Sequence, residues 1–170
     1  IIKESNGKIK EFYSSDDSLL FEGEYLNGER IGEGKEYNYK GNIAFEGEYL
    51  KGKKNGKGKK YHLNGMIEFE GEYLNGKIWT GKVYDINNNI VYEIKNGKGF
   101  IKEYNIDGVL IFKGQYLNGE RYEGKEYYNN RKLKFEGKYY KGRKWNGKAY
   151  DENSNLFSVF KNGMDIVLMN

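Results

Sequence analysis

Apolar and charged positions alternate along much of this chain with a period of two. In Phe21-Glu22-Gly23-Glu24-Tyr25 the rings and the glycine occupy one set of positions and the carboxylates the other. In a β-strand this places Phe21, Gly23 and Tyr25 on one face and Glu22 and Glu24 on the opposite one. The same phrase recurs at Phe45-Gly47-Tyr49 and Phe69-Gly71-Tyr73, and in looser form from Phe112 and Phe135. Asn-Gly follows at Asn27-Gly28 and Asn75-Gly76, the pair suited to a type I′ hairpin turn, whose two central residues need positive φ. Stretches such as Gly34-Lys35-Glu36-Tyr37 then supply a return strand, and Lys40-Gly41-Asn42, Asn64-Gly65, Asn87-Asn88-Asn89 and Asp107-Gly108 supply second turns.

The unit repeats every 21 to 24 residues, and such a period identifies a repeat array before any element is assigned. The units run 6–20 (partial), 21–44, 45–68, 69–90, 91–111 (degenerate), 112–134, 135–156 and 157–170 (partial or cap), with no linker between them. The expected fold is all-β: an elongated, single-layer antiparallel meander of about seven hairpins over 1–170. At roughly 4.8 Å per strand it would form a twisted rod on the order of 65–70 Å long. A longer duplication relates Trp79–Gly97 to Trp145–Gly163, 66 residues on. The tail Met164 to Met169 departs from the pattern, as end caps do.

Composition supports strands and a thin core. Hydrophobic residues are 37% and charged residues 32%, with mean hydropathy −0.93, too polar for a deep core. Yet 17 Tyr, 9 Phe and 2 Trp let a layer of rings, each burying roughly 150–250 Å², take its place. Glycine is frequent and proline absent, as turns with positive φ and unbroken ladders require. The lack of cysteine excludes disulfides, thiolate metal sites and thiol nucleophiles.

The phrase F/Y-E-G-E-Y-x-N-G-x-x-x-G-x-G-x-x-Y resembles the MORN repeat over nearly the whole chain. Phe stands for its leading Tyr, Tyr for its Trp at Tyr25, Tyr49, Tyr73, Tyr116 and Tyr139, and its His is missing. These departures are similar to the variant MORN repeats of bacterial and protist proteins, some of them antitoxin-like. The resemblance implies a single-layer rod of hairpins with an aromatic groove, and a role in scaffolding, dimerisation or partner docking.

The candidate binding surface is therefore a stripe of rings: Phe21, Tyr25, Phe45, Tyr49, Phe69, Tyr73, Trp79, Phe112, Tyr116, Phe135, Tyr139 and Trp145. A single sheet covers one face only, so part of the stripe is expected to stay reachable, with the glycines leaving room for a partner protein, a peptide or a second copy. The runner-up is an anionic membrane surface met by Lys53, Lys54, Lys57, Lys59, Lys60, Arg143 and Lys144, since clusters of basic residues attract lipid headgroups. A third reading is carbohydrate or cell-surface binding, or neutralisation of a partner.

Enzyme chemistry is not expected. Gly76–Lys82, Gly119–Lys125 and Gly142–Lys148 fit G-x-x-x-x-G-K but lack the following Ser or Thr. The pairs Glu22/Glu24, Glu46/Glu48 and Glu70/Glu72 are expected to pair with lysines across the strands rather than to work as acid and base. His62, the one histidine, is expected to be an exposed turn residue. No catalytic residue, metal site or cofactor is expected. The net charge of +4 at pI 8.9 is spread among 29 basic and 25 acidic residues, so nucleic acid is not an expected partner. Ile1 to Glu4 does not read as a signal peptide. A cytoplasmic or membrane-peripheral site is expected, or a bacterial surface or periplasm if a targeting segment has been removed.

Overall fold

The computed structural model describes residues 6–105 and 107–168. Ile1 to Glu4 and Met169, on which two of the expectations above fall, lie outside the described residues.

Every described regular element is a strand, and every pairing is antiparallel. The first sheet contains β1 (Gly7–Phe12), β2 (Leu19–Leu26), β3 (Glu29–Tyr37), β4 (Ile43–Leu50), β5 (Lys53–Tyr61), β6 (Ile67–Leu74), β7 (Lys77–Tyr84) and β8 (Ile90–Ile94). The second contains β9 (Gly99–Tyr104), β10 (Leu110–Leu117), β11 (Glu120–Tyr127), β12 (Leu133–Tyr140), β13 (Arg143–Tyr150), β14 (Leu156–Lys161) and β15 (Met164–Val167). In each, spatial order follows chain order. The expected β-meander is thus present, but as two sheets, with the chain dividing after Lys95 into two compact units.

The division falls in the degenerate unit, where both glycine rows end. Within the first sheet, glycine faces glycine across successive strands: Gly23, Gly34, Gly47, Gly58, Gly71 and Gly81 form one row. β8 ends that row with Ile94 opposite Gly81, and β9 begins the second row with Ile101 opposite Gly114. Both isoleucines are buried, so branched side chains close the rows where glycine would have continued them.

The glycine row exists to accommodate rings. A Cβ on Gly34 would lie 2.5 Å from Cζ of Phe21, and one on Gly71 only 2.2 Å from the Thr80 carbonyl oxygen. Phe21, Phe45 and Phe69 lie over these gaps and are essentially inaccessible, as are Phe112 and Phe135 in the second sheet. Tyrosines stand edge-on between them. Phe21 meets Tyr25 and Tyr49 at 5.9 and 5.3 Å, Phe45 meets Tyr49 and Tyr73 at 5.7 and 5.2 Å, and Phe69 meets Tyr73 at 5.3 Å. Each such pair contributes about 0.5–1.5 kcal/mol beyond area burial. The second sheet repeats the arrangement with Phe112, Tyr116, Tyr139, Phe135 and Phe160.

Asn27 and Gly28 have φ of 52° and 77°, as a type I′ turn needs. Asn75-Gly76, Asn96-Gly97, Asn118-Gly119 and Asn162-Gly163 do the same, while Lys51 and Lys141 adopt this conformation without asparagine. Not every Asn-Gly is a turn. Asn55 and Asn146 lie inside β5 and β13, and with Asn6 they serve a different purpose. Their side-chain oxygens accept the backbone N–H of Asn75, Asn162 and Asn27 at 3.1, 2.8 and 2.9 Å, bracing the next turn along. The second turns are closed by the residue after the return strand: Oδ1 of Asn38 accepts from the N–H of Lys40 and Asn42, and Asp85 and Asp151 repeat this with Asn87/Asn89 and Asn153/Asn155.

Candidate functional site

The ring face is closed by its own side chains, which corrects the expectation of an accessible aromatic stripe. Phe21, Tyr25, Phe45, Tyr49, Phe69, Tyr73, Phe112, Phe135 and Tyr139 are all buried, Tyr116 largely so, and Trp79 and Trp145 are half-buried. The room left by the glycines is filled by phenyl rings of the same chain, not kept for a partner. A cation five residues after Tyr25, Tyr49, Tyr116 and Tyr139 completes the cover. The Arg30 guanidinium lies 3.8 Å from the Phe21 ring centre, Lys54 Nζ 4.0 Å from Phe45, the Arg121 guanidinium 4.4 Å from Phe112 and Lys144 Nζ 5.0 Å from Phe135.

Glutamates on the neighbouring strand anchor both the cation and the tyrosine. Glu36 accepts from the Tyr49 hydroxyl at 2.9 Å and from Lys54 at 2.8 Å, with Arg30 at 3.3 Å. Glu103 takes Tyr116 and Arg121, Glu11 takes Tyr25 and Arg30, and Glu126 takes Tyr139 and Lys144. Burial, followed by these carboxylates, pushes the Tyr49, Tyr116 and Tyr139 hydroxyls well above the usual phenol range. Burial lowers the Lys54 amine, against the opposing pull of Glu36. Tyr73 differs. Its hydroxyl is buried without a hydrogen-bond partner, because Lys60 occupies the strand position that Glu36 fills for Tyr49, and Ile78 stands where the cation would be.

The opposite face carries the paired charges. Register aligns Lys10, Glu22, Lys35, Glu46, Lys59, Glu70, Lys82 and Glu93 across eight successive strands, alternating in sign without a break. Lys10–Glu22 and Lys59–Glu70 close to 3.7 and 3.2 Å. Tyrosines cap the carboxylates: Tyr37 donates to Glu22 at 2.6 Å and Tyr61 to Glu46 at 2.5 Å. The hydrogen bond to Glu22 is the main cause raising the Tyr37 hydroxyl to about 12, and it holds the Glu22 carboxyl below its usual range. Tyr61, raised chiefly by burial and next by Glu46, also reaches about 12.

A trough of about 840 Å³ crosses this face from β1 to β6. Its floor is the glycine row, one wall is the alternating ladder, and the other holds Lys8, Glu24, Glu33, Lys57 and Glu72. That second wall is acidic in excess. Glu33 stands directly opposite Glu48 in the register, a like-charge pairing that is unfavourable in a sheet. The pairing of carboxylates with lysines therefore holds for Glu22, Glu70 and, in the second sheet, Glu136 with Lys125 at 3.4 Å. Glu24, Glu48 and Glu72 have no ion-pair partner among the described residues.

The lysines expected to meet a membrane do not form one patch. Lys54 and Lys60 lie on the ring face, where Lys54 covers Phe45 and Lys60 bonds Glu68 at 2.6 Å. Lys57 and Lys59 line the trough opposite, Lys59 in its ladder pair. Lys53 and Arg143 are exposed beside turns, and Lys144 covers Phe135. His62 is buried, not exposed: it is 9% accessible, its Nε2 lies 3.3 Å from the Tyr84 carbonyl oxygen and its Nδ1 3.9 Å from Glu68. Each of the three G-x-x-x-x-G-K stretches is a hairpin turn running into a strand, β7, β11 or β13.

The cation-and-carboxylate cover of the rings was missed in the sequence, although its signal was present: Arg or Lys falls five residues after Tyr25, Tyr49, Tyr116 and Tyr139.

The fold defines an all-β protein built of tandem hairpins in open antiparallel sheets. No protein-family model matches the chain, and no curated protein matches it.

Proposed function

We propose that this chain is a non-enzymatic protein-interaction module of the variant MORN type, and that it holds an extended basic segment of a partner protein in the trough of the first sheet. The trough carries this reading. Five strand spacings of about 4.8 Å give it a length of about 24 Å, enough for roughly seven extended residues. Its acidic wall, with Glu24, Glu33 and Glu72 beside the opposed Glu48, complements lysine or arginine side chains directed downward from such a segment. The glycine row is the floor between the two charged walls, since its Cβ positions point to the ring face. The closed ring face disfavours docking on the aromatic side, and the dispersal of the lysines over two faces disfavours the membrane reading. The ladder carboxylates Glu22, Glu46, Glu70 and Glu136 are held by lysines and tyrosines.

The test is fluorescence anisotropy of a labelled (Lys-Gly)4 peptide with the full chain. Saturable binding that weakens at least tenfold in Glu33→Lys/Glu48→Lys, and is not displaced by (Glu-Gly)4, is the expected result. Equal binding by that variant, shown to be folded by circular dichroism, overturns the assignment.

A further inference from the structure

In the second sheet the alternation of sign fails from β9 to β11, and beyond Lys148 the row continues with the uncharged Val159 and Ile166. There the same row reads Lys102, Lys113, Lys125, Glu136, Lys148 across β9 to β13. Three lysines stand on three adjacent strands, in register, because β10 carries Lys113 at the position that Glu22, Glu46 and Glu70 occupy in the first sheet and Glu136 in β12. Like charges in direct cross-strand register destabilise a sheet.

A second observation points to the same spot. In the intact parts of the ladder, a tyrosine at the end of the return strand donates its hydroxyl to the ladder carboxylate: Tyr37 to Glu22, Tyr61 to Glu46, Tyr84 to Glu70 and Tyr150 to Glu136, at 2.6, 2.5, 3.5 and 2.8 Å. Tyr127 is the corresponding tyrosine of β11. Lys113 has taken the place of its carboxylate, and the Lys113 ammonium instead lies 5.7 Å from the Tyr127 ring centre. The next position on the same face of β10 is altered in the same sense, with Gln115 where Glu24, Glu48 and Glu72 stand. The carboxylates nearest in register are Glu136, bonded to Lys125 at 3.4 Å, and Glu123, one row away opposite Gln115. Neither occupies the position that the substitution vacated.

We infer that Lys102, Lys113, Lys125 and Tyr127 form a carboxylate-binding site for an acidic segment of a partner protein, in which a ligand Asp or Glu takes the place of the missing ladder glutamate. A single carboxylate there accepts charge-assisted hydrogen bonds from the lysines and from the Tyr127 hydroxyl, restoring the pattern found at Glu22, Glu46, Glu70 and Glu136. A protein carboxylate is favoured over other anions because the geometry is one that the fold already fills with glutamate at four positions. This site lies on the second sheet and does not depend on the trough reading.

The experiment measures binding of a labelled (Glu-Gly)4 peptide to the full chain at low and at high salt, with inorganic phosphate and phosphatidylserine-containing vesicles as separate arms. The expected result is saturable, salt-sensitive binding at one site, lost by at least tenfold in Lys113→Glu, which supplies its own carboxylate. The same substitution should raise the thermal midpoint, since it removes the like-charge register. Glu46→Lys, which creates the same vacancy in the first sheet, should raise the stoichiometry from one to two. Three results would each overturn the inference: unchanged peptide affinity in Lys113→Glu, a lowered midpoint in that variant, or binding only to phosphate or vesicles.

Discussion

The Arg30 guanidinium lies 3.8 Å from the centre of the Phe21 ring and bonds Glu11 and Glu36 at 2.8 and 3.3 Å. One side chain therefore covers the core and ties β3 to carboxylates on either side of β2. Removing it exposes the ring and leaves the partly buried Glu11 without its cation, while Glu36 keeps Lys54 at 2.8 Å. Arg30→Ala is expected to cost about 2–3 kcal/mol in chemical denaturation. Arg30→Lys should recover part of this, because an ammonium keeps the charge but not the planar fork.

Tyr49 and Tyr73 occupy equivalent positions in successive repeats, but only Tyr49 has an acceptor, Glu36 at 2.9 Å. Loss of a satisfied hydroxyl is costly, whereas loss of an orphaned buried one is not. Urea unfolding should show Tyr49→Phe destabilised by about 1–2 kcal/mol and Tyr73→Phe neutral or more stable by up to about 1 kcal/mol.

Lys51 holds φ at 50°, a conformation that asparagine tolerates better than lysine and that Asn27 and Asn75 adopt at the matching turns. Lys51→Asn should raise the thermal midpoint, corresponding to about 0.5–1 kcal/mol. By contrast, Gly71→Ala puts a methyl group 2.2 Å from the Thr80 carbonyl oxygen, and the same melts should show a loss of about 1–3 kcal/mol.

Seven tyrosines, Tyr37, Tyr49, Tyr61, Tyr73, Tyr116, Tyr139 and Tyr150, are raised above the ordinary value of 10.0 in the folded chain. A raised pKa means that the folded state holds its proton where the unfolded state releases it. The associated stability is complete below pH 10 and is lost as pH rises from there toward 12 and beyond. Denaturation midpoints should fall steeply in that window, with tyrosinate absorbance of these residues appearing together with unfolding. Gradual ionisation of all 17 tyrosines at pH 10 without loss of structure would contradict this.

Much of the fold was legible because the sequence repeats its instructions. Period-two alternation located the strands, and Asn27-Gly28 and Asn75-Gly76 located their turns. Asn55 and Asn146 show the limit of that signal, since the same dipeptide can brace a neighbouring turn from inside a strand. The division into two sheets was not foreseen: it coincides with Ile94 and Ile101 ending the glycine rows, a matter of cross-strand register that no single segment displays. The ring face was located correctly but read as open. Whether Phe21 is reachable depends on Arg30 folding over it from the next strand, and the composition of one strand does not reveal that. Lys113 was likewise visible as a departure from the repeat, but its meaning required alignment with Lys102 and Lys125.

The aromatic face is closed by the chain's own side chains, and the proposed recognition uses the charged face. Nitration of the native protein followed by peptide mass mapping tests it most directly. Rapid modification of the exposed Tyr39, Tyr122 and Tyr140 and protection of Tyr25, Tyr49, Tyr73 and Tyr139 are expected. Modification of the second group at the rate of the first, with the fold intact, would contradict it.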